Sequence, residues 1–510
     1  MKKTPYLLRL AICLCMLAVS SSVSFASHIV GSDLTYSWVS GNTYTVRLTL
    51  YADCGPASAA AYAGLPTAVP QICVYDDTTL VTTFNLSITG PSAGIEVTPT
   101  LCPGVLSQCD SVGSTMPGIT LFEYTGTYTL PSASANWEFR YVGNLGSSGA
   151  AGRAGAITNL ITAGSSTMAL SAKLNNSSGH NTSPVLNVIP LPYYAINMFH
   201  NYNPVAIDAE GDSLVYSLID VTGGSGSAAC TYAAPPTYGG GLSGSAPLLT
   251  APGTFSFNTF SGQLSFYPNV LQRAAALYNI KEYRGGTLIG SLQRELTILI
   301  NATTNHLPGG NFTSVSGCTL VDTTTILVCD TTGSFSATIP AFDADAADSI
   351  TLVPFGVPAG ATLSITGNGT PSPVSTFSWN GTTAPHGLHT FFIKYFDNAC
   401  PMNGYQTIAY KVQVTDCSYV PTNTKGMANS KAEGVFPNPA SDALTIAHGD
   451  FNSACTITLY DAVGRAVKTT ESIPGTTQTI LNTSDLPNGL YTVRLINESG
   501  TRNITVSVQH

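Results

Sequence analysis

Between Tyr44 and Leu50 apolar and polar residues alternate without a break, so Tyr44, Val46, Leu48 and Leu50 fall on one face of a strand and Thr45, Arg47 and Thr49 on the other. The same two-residue period returns at Arg294–Ile300 and Tyr410–Val414. Elsewhere Thr, Val, Ile, Leu, Tyr and Phe gather in short runs closed by Gly, Pro and Asn, as in strands joined by turns. Long helices with a charged face are not expected, because only 9% of residues are Asp, Glu, Lys or Arg, against roughly 25% in an average globular protein. The pattern predicts an all-β fold. Residues Gly143 to Gly155, after a predicted strand at Trp137–Val142, read as a flexible loop. A nucleotide-binding turn would need a helix next, and Ala156-Ile157-Thr158-Asn159-Leu160 is too short and β-branched to supply one.

At about 100 to 200 residues per domain, a chain of 510 residues holds several domains. Residues 27–193 read as an N-terminal β-rich domain, 194–302 and 303–417 as two related units, 418–432 as a polar linker and 433–510 as a small terminal domain. The two middle units align as diverged copies. Pro204–Leu214, with Asp208, Glu210 and Asp212, matches Pro340–Ile350, with Asp343, Asp345 and Asp348, after a one-residue slip on each side. Thr254-Phe255-Ser256-Phe257-Asn258 answers Thr376-Phe377-Ser378-Trp379-Asn380. An acidic turn, several short strands and a closing strand are the outline of a β-sandwich. The units resemble cadherin-like and immunoglobulin-like repeats of bacterial surface proteins, which implies tandem immunoglobulin-like sandwiches. His28–Tyr36 and Arg153–Asn159 are similar to segments of large Bacteroidetes extracellular proteins with gliding or surface roles.

After the linker, Val435-Phe436-Pro437-Asn438-Pro439 is followed by Leu444-Thr445-Ile446, by Ile457–Arg465, by Leu486–Val493 and by a last strand, Ile504–Val508. This order and spacing resemble the type A sorting domain of Bacteroidetes type IX secretion cargo over nearly its whole length. The resemblance implies a small β-sandwich whose signal includes Pro437, Asn438, Pro439, Asp461, Gly464, Arg465, Gly489 and Tyr491. Arg502 stands where the family carries a lysine before the final strand. It also implies a translocon and a sortase-like enzyme as partners, and a destination at the outer-membrane surface or in the medium.

Charge and cysteines refine this picture. The net charge of -9 comes without a basic cluster, so capture of nucleic acid is not expected. Lys2, Lys3 and Arg9, the apolar stretch Leu10–Val19 and Ser24-Phe25-Ala26 read as a secretory signal peptide cleaved near Ser27. No later stretch reaches the roughly 18 to 20 apolar residues of a spanning helix, so no transmembrane segment is expected. Exported cysteines form disulfides. They group as Cys54, Cys73, Cys102 and Cys109, then Cys318, Cys329, Cys400 and Cys417, with Cys230 and Cys455 apart. Each group of four allows three pairings, and the Cys318–Cys417 group is expected to pair within its own repeat, because a domain that folds alone closes its own crosslinks.

Chemistry is sparse. Gly211-Asp212-Ser213-Leu214 spells the motif of GDSL esterases, but the following Val215–Ile219 reads as a strand, not a helix. Short-spaced carboxylates on a turn can supply several of the six to eight oxygens that calcium takes. The clusters Asp208, Glu210, Asp212 and Asp343, Asp345, Asp348 are therefore calcium candidates, the one cofactor expected. His386 and His389 lack a third ligand at a recognisable spacing and read as loop residues. Triplets such as Asp77-Thr78-Thr79 and Asp110-Ser111-Val112 resemble the O-glycosylation sequon of this phylum. The expectation is a non-enzymatic surface protein that adheres or binds a glycan or protein ligand. The alternatives are a structural spacer or coat component and a hydrolase with an unrecognised site. A cleft lined by exposed tyrosines or tryptophans favours binding; two converging carboxylates in a pocket favour the hydrolase.

Overall fold

The computed structural model describes residues 27–55, 58–98, 101–111, 113–190, 193–416, 434–436, 440–447, 456–461, 465–472, 478–497 and 500–509. They belong to two compact units, Met1–Thr415 and Asp416–His510. The signal peptide, the linker 418–432, Cys417 and Cys455 lie outside the described residues. Among the described residues no helix is long and apolar enough to cross a membrane.

In the first unit Ser27–Ser40, Thr43–Asp53 and Ile119–Thr129 run antiparallel. Tyr44, Val46, Leu48 and Leu50 are all fully buried, as their alternation requires. Trp137–Tyr141 pairs with Gln71–Asp76 and with Leu170–Leu174. Leu170–Leu174 reaches Thr287–Asn301, which returns to Ser27–Ser40, and the sheet closes on itself. Its core includes Leu34, Leu48, Phe122, Phe139 and Leu170.

Thr287–Asn301 belongs to two structures at once. Along one edge it pairs with Gln272–Arg284, which pairs in turn with Ser213–Ile219; Tyr193–Ala195 lies parallel against its end. A smaller sheet of His200–Tyr202, Leu264–Phe266 and Ser256–Phe257 accompanies these strands. Tyr202, Phe266, Tyr278, Leu292 and Ile298 share their core, which completes a first sandwich.

The second sandwich repeats the strand order. Thr325–Cys329 lies parallel to Tyr405–Thr415, which pairs with Gly387–Phe396, which pairs with Thr351–Phe355. Ser334–Phe342, Val374–Asn380 and Thr362–Thr366 form its other sheet, around Phe335, Phe377, Trp379, Phe391 and Tyr410. The chain is therefore all-β, with tandem sandwiches.

Four expectations change. Residues 27–193 and 194–302 are not separated by a break in the sheet, because Thr287–Asn301 serves both. A strand buried on both faces over most of its length can carry two cores. Second, Ser256-Phe257 occupies the sheet edge that Thr362–Thr366 holds in the second copy, while Leu264–Phe266 takes the central place of Val374–Asn380. The matched Thr-Phe-Ser segments are thus one strand out of step. Third, the glycine-rich stretch is more than a loop. Gly152–Arg153 pairs with Ser27 and Ile29, and the Arg153 guanidinium, fully buried, makes two bonds of 2.6 and 2.7 Å to Glu295. On the opposite face Arg294 grips Asp33 at 2.6 Å through both carboxylate oxygens. Removing one member of such a buried pair costs about 3–5 kcal/mol, since the other charge is left without water or partner.

The cysteines supply the fourth change. Cys54 pairs with Cys109, but Cys73 pairs with Cys230, and Cys102 with Cys400 across a sequence separation of 298. Cys329 is also disulfide-bonded, and Cys318 is a free thiol. Pairing by sequence group fails because the loops of neighbouring domains touch. Leu101 bridges to Met402, and the Cys102 amide donates to the Pro401 carbonyl at 3.0 Å.

The second unit has two sheets. Gly434–Phe436, Ala443–Ala447 and Gln478–Asn482 make one; Ala466–Glu471, Thr456–Tyr460, Gly489–Asn497 and Gly500–Val508 make the other. Leu444, Ile446, Ile457, Leu459, Val493 and Val506 fill its core.

Candidate functional site

The two acidic turns occupy equivalent places, each leading into a strand that pairs with the first arm of a long hairpin. The residue after the last paired position of that arm differs in kind. Ser213 faces Tyr283, which Arg284 follows; Thr351 faces Phe396, which Asp397 follows. In the first copy the Arg284 guanidinium donates to both Asp212 oxygens, at 2.8 and 2.6 Å. Glu210 accepts the Thr182 amide and Asp208 the Asp212 amide. A guanidinium therefore already holds the Asp212 carboxylate of this turn.

In the second copy Asp397 brings another carboxylate instead, and Asp343, Asp348 and Asp397 each offer an oxygen within 4.8 Å of the others. Asp345, expected to join them, turns away to accept the His306 amide at 2.7 Å, and that contact holds its carboxyl below the usual range. Asp397 is buried, with Oδ1 taking amides of Ala399 and Gly404 and Oδ2 taking Asn305 Nδ2 at 2.8 Å. Asp343 Oδ2 is buried without a partner, and burial pushes the Asp343 pKa up to about 6, aided by Asp397, Asp345 and Asp348. An all-oxygen donor set with an orphaned carboxylate oxygen fits a hard divalent cation. Asp397 was out of reach of motif reading, because it lies 49 residues beyond Asp348 and meets it only through the hairpin.

A groove of about 580 Å³ lies between the small sheet of the first sandwich and the second sandwich. Gln263 stitches its floor, donating to the Thr407 carbonyl at 3.3 Å and accepting the Ala409 amide at 2.9 Å. Gln406 donates to the Pro308 carbonyl and accepts from Asn201. Phe199, 57% exposed, and Phe342, 53% exposed, line the groove. Phe260, 66% exposed, follows two residues after the lining residue Asn258. These are all the exposed phenylalanines among the described residues. Tyrosine or tryptophan is expected to line such a cleft; the exposed rings are phenylalanine, and Phe342 ends the alternating strand Ser334–Phe342.

The other motifs have structural explanations. Ser213 opens the strand Ser213–Ile219, and its neighbour Asp212 is held by Arg284. His386 meets Asp330 at 2.9 Å, while His389, within a strand, meets the Pro385 carbonyl at 2.7 Å. The two histidines thus take different partners.

In the terminal unit Asp461 and Arg465 close the hairpin between Thr456–Tyr460 and Ala466–Glu471. The Arg465 amide donates to Asp461 Oδ1 at 2.9 Å and its guanidinium to Oδ2 at 3.1 Å. Gly489 starts a strand opposite Val508, and Tyr491, buried, donates to the Pro487 carbonyl at 2.7 Å. The Arg502 backbone pairs with Leu495. Pro437, Asn438, Pro439 and Gly464 lie outside the described residues.

Comparison with curated proteins gives no match. Among solved structures, Drosophila N-cadherin EC1-3 matches over 63% of this chain and 98% of its own, at 10% identity and a TM-score of 0.20. The periplasmic chaperone SfaE matches over 38% and 100%, at 12% identity and 0.17. The BSP domain of a biofilm associated protein matches over 96% and 97%, at 10% identity and 0.15. Scores this low carry no argument about what the chain does. The family match is of another kind. Residues 434–509, which cover the whole two-sheet terminal unit from its first strand, match the secretion system C-terminal sorting domain. Residues 434–509 are thus a type IX secretion sorting domain, which marks the chain for the cell surface or the medium.

Proposed function

We propose that, once exported, the chain works as a non-catalytic binding or adhesion protein whose tandem sandwiches present the groove to a ligand. The observation that carries this reading is the cluster of exposed phenylalanines on a concave, polar-floored surface. Large apolar side chains left in water beside a cavity mark surfaces that something covers. Several side chains suited to acid–base work are otherwise engaged: Asp212 by Arg284, His200 by the Ala195 carbonyl and Asp397 by loop amides. In this reading calcium sits at Asp343, Asp348 and Asp397 and stiffens the second sandwich. The sorting domain engages the translocon, and a sortase-like step removes it and attaches the cargo to lipopolysaccharide.

The test is an array carrying glycans and surface proteins, probed with the purified mature chain from residue 27 onward. Specific, saturable capture is expected. Turnover of an array ligand, or silence across both classes, would count against a binding protein.

A further inference from the structure

We propose that the groove is a binding site for an acidic oligosaccharide, a sugar chain bearing carboxylate or sulfate groups. This deepens, and rests on, the reading of the exported chain as a binding protein. A volume of about 580 Å³ falls within the roughly 300–1,000 Å³ of small-ligand sites, enough for a few sugar rings.

The lining has the chemistry such a ligand needs. Phe199 and Phe342 offer flat apolar faces, which suit the C–H face of a pyranose ring. Asn258, Asn311 and Ser256 supply uncharged hydrogen-bonding groups for hydroxyls. The floor beneath them is held by the internal bonds of Gln263 and Gln406, so little rotamer freedom is lost there on binding.

Charge selects the acidic ligand. Among the lining residues there is no Asp or Glu, and the one charged side chain is Lys411. Its backbone amide is fixed to the Thr324 carbonyl at 2.8 Å, and no carboxylate forms an ion pair with its ammonium among the described residues. A lone lysine in an acid-free groove, on a chain of net charge -9, makes this surface locally complementary to an anion.

Isothermal titration of the full mature chain with tetragalacturonate, a sulfated galactan tetramer and neutral cellotetraose tests the assignment. An acidic tetramer should bind about tenfold tighter than cellotetraose, with the preference fading as salt rises. Lys411→Gln should erase that preference, bringing the acidic tetramers to the affinity of cellotetraose. Phe199→Ala with Phe342→Ala should weaken every sugar by about tenfold or more, with an unchanged melting temperature to show that the fold persists. Equal affinity for acidic and neutral tetramers overturns the proposal, as does sugar binding indifferent to all three substitutions. In the latter case, or if the array shows only protein ligands, the broader binding reading survives. If neither sugars nor proteins bind, both fall.

Discussion

Glu282 shows at residue scale how a β-sheet can hold a carboxyl where water cannot reach it. It is fully buried, Oε2 accepts Asn181 Nδ2 at 2.6 Å, and Oε1 has no partner. Opposite it in the register stands Gly290, where a Cβ would meet Glu282 Oε1 at 2.6 Å and Tyr36 Oη at 2.5 Å, so only glycine leaves this space. Burial pushes the Glu282 pKa up to about 8; Asn181 opposes the shift and Asp208, Asp212 and Glu210 add to it. A carboxyl raised above its unfolded value favours the folded state when protonated. Its contribution is full below about pH 4.5 and is lost as pH rises through about 8. The melting temperature should therefore fall from about pH 4.5 to about pH 8 and level off above, and Glu282→Gln should flatten that fall. An identical slope in the variant would show that another group titrates. None of this was legible in the sequence, because Lys281 and Glu282 point to opposite faces of their strand and nothing local says which face is dry. Only pairing with residues about a hundred positions away reveals the dry side.

The scale of elements is where sequence reading reached furthest. Alternation located strands correctly at Tyr44–Leu50 and Tyr410–Val414, because a two-residue period has one structural meaning when a face is buried. The repeat was legible through its acidic turns, and the shared strand order supports it. The Thr-Phe-Ser correspondence misled, since strands so short are set by their neighbours in the sheet more than by their own residues. The exchange of Arg284 for Asp397 at one structural position was invisible without the hairpin registers, yet it separates the two turns chemically. Calcium should raise the melting temperature of the mature chain, by up to about 2.7 kcal/mol of stabilisation at a hundredfold excess over Kd. Asp397→Asn should abolish the rise, whereas Asp212→Asn should leave it intact because Arg284 already serves the first turn. Equal midpoints with calcium and with chelator would make the second turn a plain acidic loop. A rise lost in Asp212→Asn instead would reverse the assignment.

At the scale of the whole molecule, the division into two compact units turns the export claim into a clean experiment. The cargo unit has its own cores around Leu48, Leu296 and Phe391, and the terminal unit has one around Leu444 and Val493. The Cys102–Cys400 bridge lies wholly within the cargo unit. Removing residues 433–510 therefore deletes the sorting domain without opening the cargo's cores. The signal peptide read from the sequence would carry the chain across the inner membrane, and the sorting domain is the address for the outer one. The truncated protein should accumulate in the periplasm with the cargo's melting temperature unchanged, a control that separates a lost address from a lost fold. Conversely, residues 433–510 joined to a signal-bearing fluorescent reporter should bring that reporter to the surface or medium. Normal surface delivery of the folded truncation would mean that the cargo carries a second export signal within residues 27–432.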